Sequence, residues 1–195
     1  MSNELLDRRA VVRELLKDRG ALLVIAGLGS PAYDVFAAGD HDANFYLWGA
    51  MGGAALVGLG LARAQPERPV VVITGDGEQL MGMGGLATIA VHRPANLTVV
   101  VLDNGYFGET GMQRSHTGMG LKLHAIAAAS GFAAASELRT MADVTRYRQQ
   151  LRRIEGGPRY ASAHIAADMP PRALPPRDGS FLKNRLRAHL GFAVR

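Results

Sequence analysis

Short, uninterrupted apolar runs alternate along this chain with longer segments in which apolar residues recur every three or four positions. Apolar runs rich in β-branched residues are typical of strands buried on both faces of a parallel sheet, and the longer segments are typical of amphipathic helices. The alternation predicts an α/β fold, a three-layer sandwich with a mostly parallel central sheet. Strands are predicted at 22–26, 44–47, 70–74, 97–102, 132–135 and 160–166, and helices at 4–19, 49–64, 78–92, 122–130, 140–154 and 181–192.

Two polar turns follow neighbouring strands of this predicted sheet, each where the strand ends. A Gly-Asp-Gly turn centred on Asp76 follows the strand at 70–74, and an Asp-Asn-Gly turn containing Asn104 follows the strand at 97–102. A right-handed crossover places both turns at one edge of the sheet, where open α/β sheets bind ligands. We therefore expect Asp76 and Asn104 to share a ligand site.

The residue types at these turns suit a metal-bound diphosphate. Asp76 and Asn104 offer the oxygen ligands that Mg²⁺ prefers, and diphosphate oxygens, a backbone carbonyl and water would complete its coordination. The glycines beside Asp76 let the backbone approach a ligand closely, and the helix that follows directs amide donors toward phosphate. A generic strand-helix-strand unit with coincidental turns is the alternative interpretation.

A competing motif lies after the first predicted strand. Residues 27–32 read Gly-Leu-Gly-Ser-Pro-Ala, which matches the dinucleotide-binding fingerprint GxGxx(G/A). A nicotinamide or flavin site would place an acidic residue at the end of the next strand, about 20 residues further on, to hold the ribose. The chain reads Tyr46-Leu47-Trp48-Gly49 there, so the sequence favours the diphosphate hypothesis.

Composition restricts the function classes. The chain has 195 residues, 48% of them hydrophobic, which suits one globular domain over residues 1–167 and a Pro-rich basic tail over 168–195. It contains no cysteine, which excludes disulfides, thiolate metal sites and a cysteine nucleophile. The net charge of +5 is concentrated in residues 139–195, without the aromatic interleaving or motifs of a nucleic-acid-binding surface. We therefore expect no nucleic-acid partner. We also expect no membrane span, because the apolar stretch at 47–62 is too short to cross a bilayer, and no signal peptide, so that the protein is expected in the cytoplasm.

The spacing of the two turns resembles the diphosphate-binding domain of thiamine diphosphate enzymes. In that family a Gly-Asp-Gly turn precedes an Asn-Asn pair by a similar gap, and here 26 residues separate Gly77 from Asn104, with Asp103 in place of the first Asn. Further segments resemble sulfopyruvate decarboxylase β subunits and phosphonopyruvate decarboxylases. They are Ala38-Gly39-Asp40, Asn44-Phe45-Tyr46, and Tyr106 to Gly111 with Gln113, His116 and Thr117.

The resemblance implies roles for individual residues. It makes Mg²⁺ ligands of Asp76, Asn104 and the carbonyl of Tyr106, and catalytic residues of His116 and Glu109. The implied cofactor contacts are Ser30, Gly49, Met51, Gly75, Asp76, Gly77, Glu78, Asn104, Tyr106, Gly108 and Glu109. Plainer alternatives remain for three of these residues: a helix cap for Ser30, a core side chain for Met51 and a surface residue for His116.

The resemblance also implies an activity. It predicts non-oxidative decarboxylation of a small 2-oxo acid with an anionic tail, such as sulfopyruvate or phosphonopyruvate, with Arg114 as a candidate contact for that tail. In the family a separate pyrimidine-binding domain supplies a catalytic glutamate, so we expect a hetero-oligomer with an α subunit that carries this domain. A homodimer is the alternative for the chain when it is alone. The alternatives are a subunit of an acetolactate synthase-like carboligase and a non-catalytic cofactor-binding or regulatory subunit.

Overall fold

The computed structural model describes residues 5–193 of the chain. Residue 4, where the sequence pattern begins the first helix, lies outside this range, as do the outermost residues of the predicted domain and tail. The strands are β1 (Leu23–Ala26), β2 (Asn44–Tyr46), β3 (Val70–Gly75), β4 (Leu97–Asp103), β5 (Tyr106–Phe107), β6 (Gln113–Arg114), β7 (Ala134–Leu138) and β8 (Arg159–His164). The helices are α1 (Arg8–Leu16), α2 (Ser30–Ala37), α3 (Ala54–Ala64), α4 (Asp76–Met81), α5 (Gly84–His92), α6 (Leu123–Ser130), α7 (Met141–Arg148) and α8 (Gly179–His189), with 3₁₀ turns at Gly108–Thr110, Thr117–Met119 and Gln149–Arg152.

The main sheet of the described residues has six parallel strands in the order β2-β1-β3-β4-β8-β7. Alternate strand residues face two separate apolar cores. Val71 and Val100 pack on the face covered by α1, α2 and α7, and Val72 and Val99 pack on the face covered by α3, α5 and α6. Both faces are buried, as in other α/β proteins with parallel sheets. The predicted three-layer α/β fold is confirmed.

The strand register places the two polar turns beside each other. Gly75 pairs with Leu102 across β3 and β4, so Asp76 and Asp103 both come directly after paired residues at the carboxyl edge. The order of strands reverses between β1 and β3, because β2 lies outside β1 while β3 and β4 extend the sheet in the other direction. A reversal of this kind opens a crevice at the carboxyl edge.

Three glycines account for the main difference from the predicted helices. The helix predicted over 78–92 is broken between α4 and α5, where Gly82 lies against Gly52, and a Cβ on Gly82 would stand only 2.1 Å from the Gly52 carbonyl oxygen. Gly49 and Gly52 have φ of 74° and 85°, so residues 49–53 form a loop and α3 starts only at Ala54. This loop therefore packs on the end of α4 instead of extending α3.

The segment after β8 is extended and then docks on the domain. Residues 168–177, here called the carboxyl-terminal strap, contain no helix or strand, and Asp178 caps α8 by accepting hydrogen bonds from the amides of Ser180 and Phe181. Leu182 of α8 is fully buried in the same core as Val71. None of the helices between residues 5 and 193 combines the length and apolar character that crossing a bilayer requires.

Candidate functional site

A cleft opens at the carboxyl edge of the sheet, where the strand order reverses. Its walls come from the loop after β1, the Gly-Asp-Gly turn after β3, the segment after β4 and the start of the carboxyl-terminal strap. We call it the edge cleft. It brings together ten of the twelve residues that the resemblance singled out: Ser30, Met51, Gly75, Asp76, Gly77, Glu78, Asn104, Tyr106, Gly108 and Glu109.

Asp76 lies in the wall of this cleft and is only 2% exposed. Its Oδ2 atom accepts hydrogen bonds from Ser115 Oγ at 2.5 Å and Thr117 Oγ1 at 2.9 Å. Burial raises the pKa of Asp76, and the nearby charge of Asp103 adds to that rise, while the two hydroxyl donors oppose it. Both of these donors bind Oδ2. Within the described residues no side chain donates to Oδ1, which leaves this oxygen for a ligand in the cleft.

Thr117 connects the two polar turns. Its hydroxyl lies 2.7 Å from Asp103 Oδ1, the same atom that accepts a hydrogen bond from the Gly105 amide at 3.1 Å. Ser115 Oγ is 2.8 Å from Thr117 Oγ1, so both hydroxyls and both carboxylates form one buried cluster. Nothing in the sequence marks a role for either hydroxyl except its position in a glycine-rich segment after Asn104.

Asn104 contributes a second oxygen at the same edge. Its Oδ1 atom accepts a hydrogen bond from the Tyr106 amide at 2.9 Å, which fixes the side chain against its own turn. An amide oxygen has two lone pairs, so one remains for a cation. Residues 5–193 contain no group of three His, Cys, Asp or Glu side chains arranged around a metal position. A metal here would therefore need ligands such as carbonyls, water and the diphosphate, which is the ligand set expected for Mg²⁺.

Glu78 is placed differently from the other predicted contacts. It is 4% exposed, and its Oε2 accepts hydrogen bonds from Thr74 Oγ1 at 2.6 Å and the Leu28 amide at 3.1 Å, while Oε1 accepts from the Ala54 amide at 3.3 Å. Burial raises its pKa, against the effect of these donors. Protein groups thus occupy both oxygens, and Glu78 ties the loop after β1 to the end of β3 and the start of α3.

Gly77 of the turn and Gly27 after β1 are required by close packing. A Cβ on Gly77 would stand 2.7 Å from Cδ1 of Phe107, so the Phe107 ring can cover the turn only if residue 77 has no side chain. A Cβ on Gly27 would meet Glu78 Oε2 at 2.0 Å. Both glycines therefore let neighbouring segments approach the floor of the edge cleft closely.

Met51 stands at another side of the edge cleft and is 43% exposed. It is not a core side chain, in contrast to the plainer interpretation of the sequence. Gly49 is in the same loop but does not line the cleft. Ser30 is the first residue of α2, and its side chain makes no capping hydrogen bond; instead its hydroxyl lies 3.4 Å from Glu109 Oε1.

The segment after Asn104, residues 105–120, folds as a small hairpin in which β5 pairs antiparallel with β6. Glu109 lies in the 3₁₀ turn Gly108–Thr110, between β5 and β6. It faces Ser30 of α2 and Arg172 of the carboxyl-terminal strap, and Arg172 Nη2 is 3.1 Å from Glu109 Oε2. His116 and Arg114 are exposed and do not line the edge cleft. The catalytic role of His116 and the contact between Arg114 and a substrate stay predictions without support from this geometry.

Comparison with known proteins identifies the family. Residues 33–157 match the family model described as thiamine pyrophosphate enzyme, C-terminal TPP binding domain. The chain belongs to this family. The resemblance inferred from the two polar turns is thereby confirmed.

Individual relatives of this thiamine pyrophosphate enzyme domain include two decarboxylases. The chain is 43% identical to a phosphonopyruvate decarboxylase from Streptomyces hygroscopicus over 136 residues, 70% of this chain and 33% of the relative. It is 37% identical to sulfopyruvate decarboxylase subunit beta from Methanocaldococcus jannaschii over 122 residues, 62% of this chain and 64% of the relative. The match thus spans a third of the first relative and just under two thirds of the second.

A solved structure shares the fold. The crystal structure of benzoylformate decarboxylase from Polynucleobacter necessarius superposes with a TM-score of 0.70 at 21% identity, covering 85% of this chain and 34% of that chain. This likeness shows the arrangement of strands and helices, since the sequences have diverged widely.

Proposed function

We propose that this chain is the thiamine diphosphate- and Mg²⁺-binding subunit of a 2-oxo acid decarboxylase of the sulfopyruvate or phosphonopyruvate type. The observation that carries the proposal is the buried carboxylate of Asp76, which two hydroxyls hold beside Asn104 at the edge cleft. A buried acidic side chain whose second oxygen receives no hydrogen bond from another side chain of the described residues fits a cation better than a structural role alone.

Different residues of the edge cleft would hold different parts of the cofactor and its metal ion. Asp76, Asn104 and the Tyr106 carbonyl would hold Mg²⁺, and the backbone around Gly77 and Gly108 would face the diphosphate. Met51, exposed in the wall of the cleft, would contact the rings of the cofactor. Gly49 lies in the same loop and stays a predicted contact that the cleft lining does not include. Thiamine diphosphate, when bound, supplies the carbon nucleophile and the electron sink for decarboxylation. The chain itself contributes geometry, metal ligands and shielding from water.

The substrate class rests on the relatives. Phosphonopyruvate and sulfopyruvate, named in the two relatives, are pyruvates that carry a phosphonate or a sulfonate group. Two relatives with different anionic groups support a small 2-oxo acid with an anionic tail as the substrate of this chain. The reaction releases carbon dioxide and leaves the corresponding aldehyde.

A partner that carries a pyrimidine-binding domain and the catalytic glutamate is part of the proposal. One relative is named a β subunit, which implies assembly with another subunit. An exposed apolar surface beside the edge cleft is suited to such a contact. This methionine patch consists of Met51, Leu56, Met81 and Met83, which are 43%, 42%, 62% and 40% exposed. Such contiguous apolar side chains around a binding site are typical of interaction surfaces.

The proposal can be tested with Asp76→Ala and Asp76→Asn in the full chain, assembled with whatever subunit co-purifies from its native cells. We expect the wild type to bind thiamine diphosphate in a Mg²⁺-dependent manner in calorimetry and to decarboxylate sulfopyruvate or phosphonopyruvate, and both variants to lose binding and turnover. Turnover that survives Asp76→Ala would support the regulatory alternative instead. Capture of a second carbonyl compound in the product would support the carboligase.

A further inference from the structure

The carboxyl-terminal strap, residues 168–177, lies outside the segment that matches the family model, yet it borders the edge cleft. Asp168 and Met169 form part of the cleft wall. The strap is anchored at both ends. Before it, the Ala166 amide donates to the Leu6 carbonyl at 2.9 Å, and after it, Arg185 of α8 contacts Asp40 Oδ2 at 2.7 Å.

Contacts along the strap hold it against the surface between these anchors. Arg9 donates to the carbonyl of Pro171, and Trp48 Nε1 donates to the carbonyl of Pro176 at 3.0 Å. The Arg177 guanidinium stacks 5.2 Å above the Trp48 ring. Side chains from α1 and from the segment after β2 therefore hold the strap at Pro171, Pro176 and Arg177.

A third strap residue, Arg172, contacts a side chain of the cleft wall. The Arg172 Nη2 atom is 3.1 Å from Glu109 Oε2, and its guanidinium lies 5.8 Å from the Tyr33 ring centre. Glu109 also faces Ser30, so its carboxylate joins the strap, the segment 105–120 and the start of α2 at one point. These three segments therefore meet at Glu109, in the wall of the cleft.

The charges at this point have a direct consequence for an anionic ligand. A carboxylate at the mouth of a diphosphate site repels the ligand, and Arg172 is the cation that pairs with it. We propose that Arg172 is a positioning residue that neutralises and fixes Glu109, and that the strap thereby retains the bound diphosphate cofactor in the edge cleft. This inference rests on the proposed function of the cleft.

The expected effect is modest because the pair is accessible to water. The side chains of Arg172 and Glu109 are 58% and 39% exposed, and exposed ion pairs contribute little. We expect Arg172→Gln to speed dissociation of thiamine diphosphate by about two- to fivefold, the range that a pair of this kind supports. The difference from the wild type should shrink as salt is raised from about 0.05 M to about 0.5 M, since salt screens exposed charges.

The experiment uses the full chain, with its co-purified subunit, loaded with thiamine diphosphate and Mg²⁺. The loaded protein is diluted, and the cofactor that stays bound is measured at successive times. Arg177→Gln is the matched control, because it removes the same charge from the same strap but contacts Trp48 instead of the cleft. Since Trp48 is the single tryptophan of the chain, its emission reports separately whether the strap stays docked.

A double-variant comparison tests whether Arg172 acts through Glu109. We expect Arg172→Gln to release the cofactor faster than the wild type, with unchanged Trp48 emission. Arg177→Gln should alter the emission but not the rate of cofactor release. The double variant Glu109→Gln/Arg172→Gln should release the cofactor no faster than Glu109→Gln alone. If the wild type binds thiamine diphosphate and Arg172→Gln releases it at the same rate as the wild type, this inference is overturned and the proposed function still stands. Failure of the wild type to bind thiamine diphosphate would overturn both.

Discussion

Glu78 offers a sharp test of how the edge cleft is built. Its position directly after the Gly-Asp-Gly turn made it a predicted cofactor contact, but in the structure its two oxygens accept hydrogen bonds from Thr74, Leu28 and Ala54. We predict that Glu78→Gln primarily lowers the stability of the fold. Any loss of cofactor binding should follow from that loss of stability.

The magnitude follows from the donors that surround the carboxylate. The amide oxygen of a glutamine can still accept hydrogen bonds from Thr74 and Leu28. Its NH₂ group would replace the oxygen that accepts from the Ala54 N–H, so that two donors would meet and the Ala54 N–H would lose its acceptor. Leaving one buried donor unsatisfied costs about 1–3 kcal/mol. Burial raises the pKa of Glu78, so removing the charge relieves part of the desolvation cost. We expect a net loss of about 2 kcal/mol, or a Tm lowered by about 4–8 °C for a domain of this size.

Urea unfolding followed by Trp48 fluorescence measures this loss, with Glu67→Gln as the control because Glu67 is exposed. The control should change the free energy of unfolding by less than about 0.5 kcal/mol. If Glu78→Gln unfolds like the wild type but binds thiamine diphosphate at least tenfold more weakly, the carboxylate is a cofactor ligand and our account of this residue is wrong.

Two further predictions concern other polar clusters. Thr117→Val should weaken Mg²⁺-dependent binding of thiamine diphosphate by about 10–100-fold in calorimetry, as expected when a side chain that orients a metal ligand is lost, whereas Thr117→Ser keeps the hydroxyl and should stay within a few-fold of the wild type. Burial alone would raise the pKa of Glu137, but His164, Arg139 and His124 outweigh it and hold the pKa below the usual 4.5. The stabilisation by Glu137 should therefore be fully present above about pH 4.5 and fade as pH falls through the lower folded-state pKa. Unfolding of the wild type and Glu137→Gln at several pH values checks this, and a difference that grows toward acid would contradict it.

The parts of the site that depend on strand order could be predicted from the sequence. The apolar runs at β3 and β4 and the single helical crossover between them leave one arrangement, in which the residues after both strands meet at the carboxyl edge. Asp76 and Asn104 therefore line the same cleft, as expected. Local pattern and topology were sufficient because neighbouring parallel strands end at the same edge of a sheet.

Contacts made by segments folding back over the sheet could not be predicted in the same way. Glu78 follows the turn in sequence, but its carboxylate is satisfied by Leu28 and Ala54, which lie 50 and 24 residues away. Serine and threonine hydroxyls are common in loops, so nothing in the sequence distinguished Ser115 from other loop residues before its distance to Asp76 was known. The position of Arg172 similarly depends on where α8 docks.

The buried hydroxyls also explain why an aspartate can stand at position 103, where the resemblance led us to expect an asparagine. An asparagine brings an amide donor of its own, whereas an aspartate beside the buried Asp76 brings only acceptors and a second negative charge. Ser115 Oγ can supply a proton to Asp76 at 2.5 Å, and Thr117 Oγ1 can supply one to Asp103 at 2.7 Å. Thr117 Oγ1 also lies 2.9 Å from Asp76 Oδ2, but its single proton can serve only one of the two carboxylates at a time. The other contact then brings two oxygens together without a proton between them. Under our proposal, a cation held by Asp76 would reduce the repulsion between these oxygens, so the aspartate at position 103 and the hydroxyl of Thr117 are both consistent with a metal-binding role for Asp76.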